Sequence, residues 1–541
     1  MSSRSALAGL AWWGINIAEY RRYRVALRDP KHAQERVLRK YLRENADTIF
    51  GRDFNFGSIR SPQEFQARVP LAEYEDFLPY VTRIANGEPG VLTRSPVKLL
   101  ELTSGSTTAA KYVPYTAVLQ REFSRAVAAW IVDLYRRDPN LAWGPSYWSI
   151  TPVAQEERRS AGGLPIGFEE DSAYLGGMQK WLVDALMAVP GEVRHVQDIG
   201  SFRYVTLLFL LRCRDLRLIS IWHPSFLTLL LESLRRFWKQ LLQDIADGTL
   251  SPPRDLSAEL QARLRAILSP YPRRAAELRE LGPIEYARIW PKLGLISCWG
   301  DGHSTIHLDA LRPTFPRVKI QPKGLISTEA FVTLPFAGRW PVAVRSHYFE
   351  FLDDDGTAHL AYELEPGGEY SIVVTTGGGF YRYRLKDRVR VVGRCEQTPS
   401  LRFLGRQDLV SDRFGEKLSE GFVSGVLQRL FSQFDLQVRF AMLAPEETAG
   451  RTCYALYLQL DTELPDHFCT ALRRLLRDNP HYRYCVDLGQ LRPAQIFLVS
   501  NSAYEAYGRT CRERGQRLGD VKPSSLSTTC GWSQVFDGGL V

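Results

Sequence analysis

Residues Leu102-Thr103-Ser104-Gly105-Ser106-Thr107-Thr108-Ala109-Ala110-Lys111 crowd hydroxyls around one glycine and close on a lysine. Hydroxyl and backbone N–H donors beside a cation suit a phosphate group. The run lacks the glycine spacing and the Lys-Ser/Thr pair of a Walker A loop, so its phosphate chemistry would be of another kind. A second stretch, Gly324-Leu325-Ile326-Ser327-Thr328-Glu329, reads as a strand delivering two hydroxyls and a carboxylate. Such a set would bind a nucleotide and, through Glu329, a Mg²⁺ shared with phosphate oxygens; it equally suits a Ser-capped turn. A third, Phe380-Tyr381-Arg382-Tyr383-Arg384-Leu385-Lys386-Asp387, sets Asp387 at an expected strand start among basic and aromatic neighbours. There it can accept hydrogen bonds from both ribose hydroxyls or pair with one of its own arginines. The preceding Gly377-Gly378-Gly379 reads as a flexible turn. Two lysines complete the set, Lys417 in R-F-G-E-K-L and Lys522 in L-G-D-V-K-P. A single lysine is ordinarily a solvated charge, and these two gain meaning only from the order of the other motifs. His303 and His307 have helical ligand spacing but no clear third partner.

These residues need elements to position them. Lys98 to Leu102 reads as a buried strand and Tyr115 to Tyr135 as a helix, which puts the hydroxyl-rich run between strand and helix. Ala6 to Ala18 is apolar, contains Trp12 and Trp13, and is too short to span a bilayer. It is expected to form a helix docked on the body or on a partner, without stable membrane insertion. Residues 20–50 are helical in pattern, with Val37, Leu38, Tyr41 and Leu42 on one face. Pro224 opens a long helix through Ile245, and residues 251–290 hold two more around Ser269-Pro270-Tyr271-Pro272. From Gly294 the chain turns to short apolar runs that read as strands: Leu295–Trp299, Val342–Val344, Tyr348–Leu352, Ile372–Thr375 and Val389–Val392. After Leu404-Gly405-Arg406 the pattern becomes helix (421–434), strand (454–460) and helix (466–478). The expected architecture is α/β, with a large N-terminal domain over 1–405 and a small α+β domain over 406–541.

The chain has 541 residues, with 69 basic against 60 acidic residues and a formal charge of +9. Its arginines are spread out rather than massed in a block, which argues against a nucleic-acid arm. A modest basic excess suits an enzyme that draws in ATP and an organic carboxylate. The eight cysteines include no C-x-x-C pair, as expected of reduced thiols in a cytoplasmic protein.

The order of motifs (hydroxyl-rich loop, S-T-E, Y-R-Y-R-x-x-D, G-R-x-D, then G-x-x-K) resembles the adenylate-forming superfamily. Within it the chain is similar to the Gretchen Hagen-three, or auxin-responsive, acyl acid–amido synthetases. Thr48-Ile49-Phe50-Gly51-Arg52, the Phe65–Tyr80 segment, Gly87-Glu88 and Tyr348-Phe349-Glu350-Phe351 extend the likeness over roughly residues 30–526. The resemblance implies that Thr103, Ser104, Gly105, Ser106 and Thr107, with Lys111 behind them, bind ATP phosphates. It implies that Ser327, Thr328 and Glu329 meet the phosphate and Mg²⁺, that Asp387 and Arg406 hold the ribose, and that Lys417 and Lys522 serve from a mobile C-terminal lid. The implied activity joins a carboxylic acid to an amine, an amino acid above all, through an acyl-adenylate. A thiol acceptor, as in acyl-CoA ligases, and a non-catalytic nucleotide- or acyl-binding role remain as alternatives. The acyl pocket is implied to draw on parts of 120–230 and 295–350. Three positions depart from the family pattern: Thr108-Ala109-Ala110 lacks a further glycine, Thr328 stands for serine, and Lys386 stands where glycine is common.

Overall fold

The computed structural model describes residues 2–102, 111–149, 158–167, 177–407, 409–448, 451–500, 502–514, 516, 521 and 523–541. Thr103, Ser104, Gly105, Ser106, Thr107 and Lys522 lie outside the described residues. The architecture is mixed α/β, with several sheets flanked by helices.

The N-terminal helix, Ser2–Arg28, docks on the body. Trp12 is buried and its ring meets Tyr135 and Trp148. Asp29 then caps the helix Pro30–Glu44 by accepting the His32 N–H, with proline in the first turn. Leu38, Tyr41 and Leu42 are buried on that helix as the spacing predicts. Gln34 is buried with them: its amide donates to the Val344 and His347 carbonyls and accepts from Phe349 N–H, tying the helix to the strand Tyr348–Leu352.

Four parallel strands, Ser146–Trp148, Leu218–Ser220, Leu295–Cys298 and Lys319–Pro322, form the central sheet in that order. Successive residues point to opposite faces. Leu218 and Leu295 therefore join the core under the helix Ala117–Arg137, while Ile219 and Ile296 join the core of the helices Ile199–Arg212 and Pro224–Asp247. Beside it lies a five-stranded antiparallel sheet, ordered Ala358–Leu360, Tyr348–Leu352, Glu369–Thr375, Tyr383–Cys395 and Thr398–Arg406. Val342–Val344, expected as a strand, makes only an isolated bridge from Val342 to Thr333. Its residues are apolar because they are buried, not because they are extended.

The hydroxyl-rich run has different flanks from those expected. Tyr112–Thr116 is a strand paired antiparallel with Val97–Leu102, and the helix begins only at Ala117, capped by Thr116 Oγ1 on the Leu119 N–H. Tyr115 belongs to the strand because it pairs with Leu99 and is buried in the core, which overrides its helical spacing. The helix N-terminus thus sits a strand's length from the run. The triple glycine is packed rather than flexible. A Cβ on Gly377 would lie 2.5 Å from Glu122 Oε1, and Gly379 has φ +101 with Leu92 against it. Gly377 N–H donates to Glu122, whose other oxygen accepts from Tyr41.

In the C-terminal part, strands Val438–Thr448, Arg451–Leu460, Arg492–Val499 and Gly538–Leu540 form one sheet. Helices Glu420–Gln433, Phe468–Leu476 and Pro480–Asp487 cover one face, and Ala503–Glu513 with Trp532 covers the other. This part touches the rest through a Tyr504–His307 hydrogen bond, an Arg203–Glu505 ion pair of 3.3 Å and Gln428 Nε2 on the Gly302 carbonyl. His307 is thereby engaged with Tyr504, and among the described residues no cluster of three or more His, Cys, Asp or Glu is arranged to hold a metal. All eight cysteines are free thiols; six are buried, and Cys469 and Cys530 are partly exposed. Among the described residues no helix is long and apolar enough to cross a membrane.

Candidate active site

The segment before the helix Tyr74–Ala85 is clipped to the strand Tyr383–Cys395. Ala72 N–H donates to the Arg382 carbonyl, and Arg384 N–H returns to the Ala72 carbonyl. Asp76 accepts the Glu73 N–H and starts the helix. Glu73, Tyr74 and Glu75 are thereby held against the end of the hydroxyl-rich run. Tyr74 Oη accepts the Tyr112 N–H at 2.7 Å. Lys111 Nζ lies 5.3 Å from the centre of the Tyr74 ring and 3.7 Å from Glu75 Oε1.

Glu329 stands across from this lysine. It occupies a tight turn, not a strand: Ile326 bridges Phe331, Ser327 N–H donates to the Ala330 carbonyl, and Ser327 Oγ accepts the Ala330 N–H. The Glu329 carboxylate is buried, at 9 % exposure. Burial pushes its pKa up; its own N–H, the Arg406 guanidinium, the Ser327 hydroxyl and the Lys111 ammonium pull the other way. Tyr383, also buried, sits in the same field: burial and the Glu329 charge raise its hydroxyl, and Arg406 opposes them. Thr328 is half-buried on the same turn.

Asp387 lies inside the strand Tyr383–Cys395 rather than at its start, because the strand already begins at Tyr383. It is buried and paired in register with Arg406 on Thr398–Arg406. The fold thus brings Lys111, Ser327, Glu329, Asp387 and Arg406 to one place, with Tyr74, Glu75 and Tyr383 added. The last three escaped the sequence reading, although the E-Y-E-D start of the helix that holds Tyr74 and Glu75 carries a capping signal. Arg382 is not part of this group. Its guanidinium is buried on Glu350 and on the Gln66 and Val69 carbonyls, a structural clamp. Lys386 has φ +62, the left-handed region that favours glycine, and its ammonium pairs with Glu73 at 2.8 Å.

Lys417 is elsewhere. It is exposed, with φ +45, on the hairpin that joins Val410–Ser411 to Leu418–Ser419, and its carbonyl accepts from Asn479. Its neighbour Glu416 is fully buried and organises that hairpin, accepting N–H groups from Arg413 and Phe414 and the Tyr454 hydroxyl. Between the two groups lies a close backbone approach. A Cβ on Gly405 would come within 3.0 Å of the Gly421 backbone, so the strand carrying Arg406 rests directly on the first turn of Glu420–Gln433.

The cluster offers two cations for phosphate, a hydroxyl and a buried carboxylate for a hard divalent ion, and a second carboxylate for hydroxyls. Glu329 with Ser327 is an all-oxygen set that fits Mg²⁺.

Family models for the GH3 family N-terminal, central and C-terminal domains match residues 19–320, 340–406 and 423–529. The chain is 24% identical over 542 residues to indole-3-acetic acid-amido synthetase GH3.2 of Arabidopsis thaliana, covering 93% of each. It is 26% identical over 420 residues to jasmonoyl--L-amino acid synthetase JAR4 of Nicotiana attenuata, covering 72% of this chain and 71% of that protein. In fold it is similar to the AtGH3.15 acyl acid amido synthetase solved in complex with 2,4-DB, with a TM-score of 0.83 at 22% identity over 96% of this chain and 95% of that one.

Proposed function

Since the chain belongs to the GH3 family, we propose that it is an ATP-dependent acyl acid–amido synthetase. The observation that carries this reading is the convergence of Lys111, Glu329, Asp387 and Arg406 at the end of the hydroxyl-rich run. In the first half-reaction the acid's carboxylate attacks the α-phosphorus of ATP, giving an acyl-adenylate and pyrophosphate. In the second an amino group attacks the acyl carbon and AMP leaves.

Each residue has a distinct part. Thr103, Ser104, Gly105, Ser106 and Thr107 receive the phosphates, and Lys111 neutralises charge there. Asp387 accepts the ribose hydroxyls, and Arg406 both orients Asp387 and offsets the Glu329 charge. Glu329, helped by Ser327 and Thr328, would hold Mg²⁺ against phosphate oxygens; the bound ion supplies charge neutralisation and alignment. These groups act by positioning and by preorganised charge in a site that excludes water. We place a domain boundary at 405/406, with 406–541 a lid that presents Lys417 and Lys522 to successive half-reactions. The Gly405–Gly421 contact and the exposed Lys417 hairpin support that division. The thiol inventory supports a cytoplasmic setting.

The test is pyrophosphate release from Mg·ATP with a panel of indole, benzoate and fatty acids, with and without mixed amino acids. Release that needs an acid, with an amide product that needs an amino acid, is expected. Product formation with coenzyme A and none with amino acids would overturn the amide reading in favour of a thiol acceptor.

A further inference from the structure

One face of the central parallel sheet is unusually polar. At a single rung, Trp148 pairs in register with Ser220, Ser220 with Ser297, and Ser297 with Gln321. The face lies under the helix Ala117–Arg137: Trp130 Nε1 donates to Gln321 Oε1 at 2.9 Å, and the Trp130 and Trp148 rings are 5.8 Å apart. Strands of a parallel sheet are ordinarily apolar on both faces, as Leu218 and Leu295 are one rung below. Two donors in this rung, Ser220 Oγ and Trp148 Nε1, are buried with no hydrogen-bond partner among the described residues. Buried polar groups are paired as a rule, so such a pair of donors marks a place for an acceptor from outside the fold.

Two residues beyond Ser220 and Gln321, at the carboxyl ends of their strands, come Trp222 and Lys323. Lys323 is 9 % exposed, and its ammonium lies 4.8 Å from the centre of the Trp222 ring. The carboxyl edge of an open α/β sheet is where ligands bind. Lys323 also leads directly, through Gly324, into the turn that carries Glu329.

We propose that Lys323, Ser220 and Trp148 Nε1 form an acyl subsite that selects acids bearing a second carboxylate or carbonyl oxygen besides the reacting carboxylate. This rests on the synthetase reading above and narrows its substrate class. The cation and two donors meet the far acceptor, the indole rings of Trp130, Trp148 and Trp222 flank the linking carbons, and the reacting carboxylate is left to the Glu329 cluster.

Matched acids test it: hexanoate against adipate, and phenylacetate against 4-carboxyphenylacetate, by pyrophosphate release and by calorimetric binding to the full chain. The diacids are expected to exceed their partners at least ~10-fold in kcat/KM, with Lys323→Met abolishing that preference while sparing the monoacids. A wild-type preference for monoacids, or an equal loss for every acid in Lys323→Met, would overturn the subsite. Should Lys323→Met fail to fold, Ser220→Ala must by itself narrow the preference, and an unchanged ratio overturns the proposal. Diacid binding that depends on Lys323, with no pyrophosphate from any acid, keeps the subsite and overturns the synthetase reading. Neither binding nor turnover overturns both.

Discussion

Asp387 and Arg406 face each other across the last two strands of the antiparallel sheet, at the rung where the chain leaves that sheet. The proposed ribose ligand and the cation that balances Glu329 are therefore fixed by one backbone register. Replacing Asp387 with Ala is expected to raise the KM for ATP ~10–100-fold, the scale of one lost charge-assisted hydrogen bond, with a smaller change in kcat. Steady-state kinetics at varied ATP decide it. A fall in kcat at unchanged KM would instead assign Asp387 to orienting Arg406 alone.

Glu329 carries opposite costs for folding and for activity. Burial raises its folded-state pKa above the ordinary value, so its contribution to stability is present at low pH and is lost as pH rises through the raised pKa. Glu329→Gln, a permanent mimic of the neutral form, should therefore raise Tm near neutrality, with the gain vanishing below the usual carboxylate range of about 4.3. The same variant should turn over at least ~100-fold more slowly. In the wild type, kcat/KM for Mg·ATP should fall on acidification through a pKa above that of an ordinary glutamate. Parallel pH series of Tm and of kcat/KM would expose either sign as wrong.

The Lys417 hairpin depends on a carboxylate that no solvent reaches. Glu416→Ala strands two backbone N–H groups and leaves the Tyr454 hydroxyl with Ser411 Oγ alone, and should cost about 2–4 kcal/mol. Tyr454→Phe takes one partner from Glu416 and one from Ser411, leaves both backbone N–H bonds in place, and should cost less, about 1–2 kcal/mol. Urea unfolding followed by a probe in the C-terminal part measures both. Equal costs would contradict this ranking.

Lys386 adopts a conformation that costs an L-residue about 1–2 kcal/mol, and its ion pair with Glu73 returns at most about 1 kcal/mol. Lys386→Gly should leave stability unchanged or raise it by up to about 1 kcal/mol, whereas Lys386→Ala keeps the strain, loses the pair and should destabilise. Thermal unfolding of the two variants, compared with the wild type, checks the order.

What could be read from the sequence divides along physical lines. Apolar runs with clear boundaries, such as Leu295–Cys298 and Tyr348–Leu352, and helices opened by proline, such as Pro224–Asp247, were legible because local pattern and burial agree. The helix expected from Tyr115 was displaced because Tyr112–Thr116 folds back on the preceding strand Val97–Leu102, a pairing that helical spacing does not encode. The Val438–Thr448 strand and the Ala503–Glu513 helix went unread, the first for its continuous apolar F-A-M-L-A and the second for its few apolar residues. Residue types announced Glu329 and Asp387. Tyr74, Glu75 and Tyr383 joined them only through the clip between Ala72 and the strand Tyr383–Cys395, which is tertiary.

The distribution of thiols has a practical consequence. Six cysteines are sealed in the interior, while Cys469 and Cys530, the two partly open to solvent, both belong to the C-terminal part. A maleimide dye or nitroxide added to the unaltered protein would mark that part alone, giving a native optical or magnetic reporter of whether it moves when substrates are added.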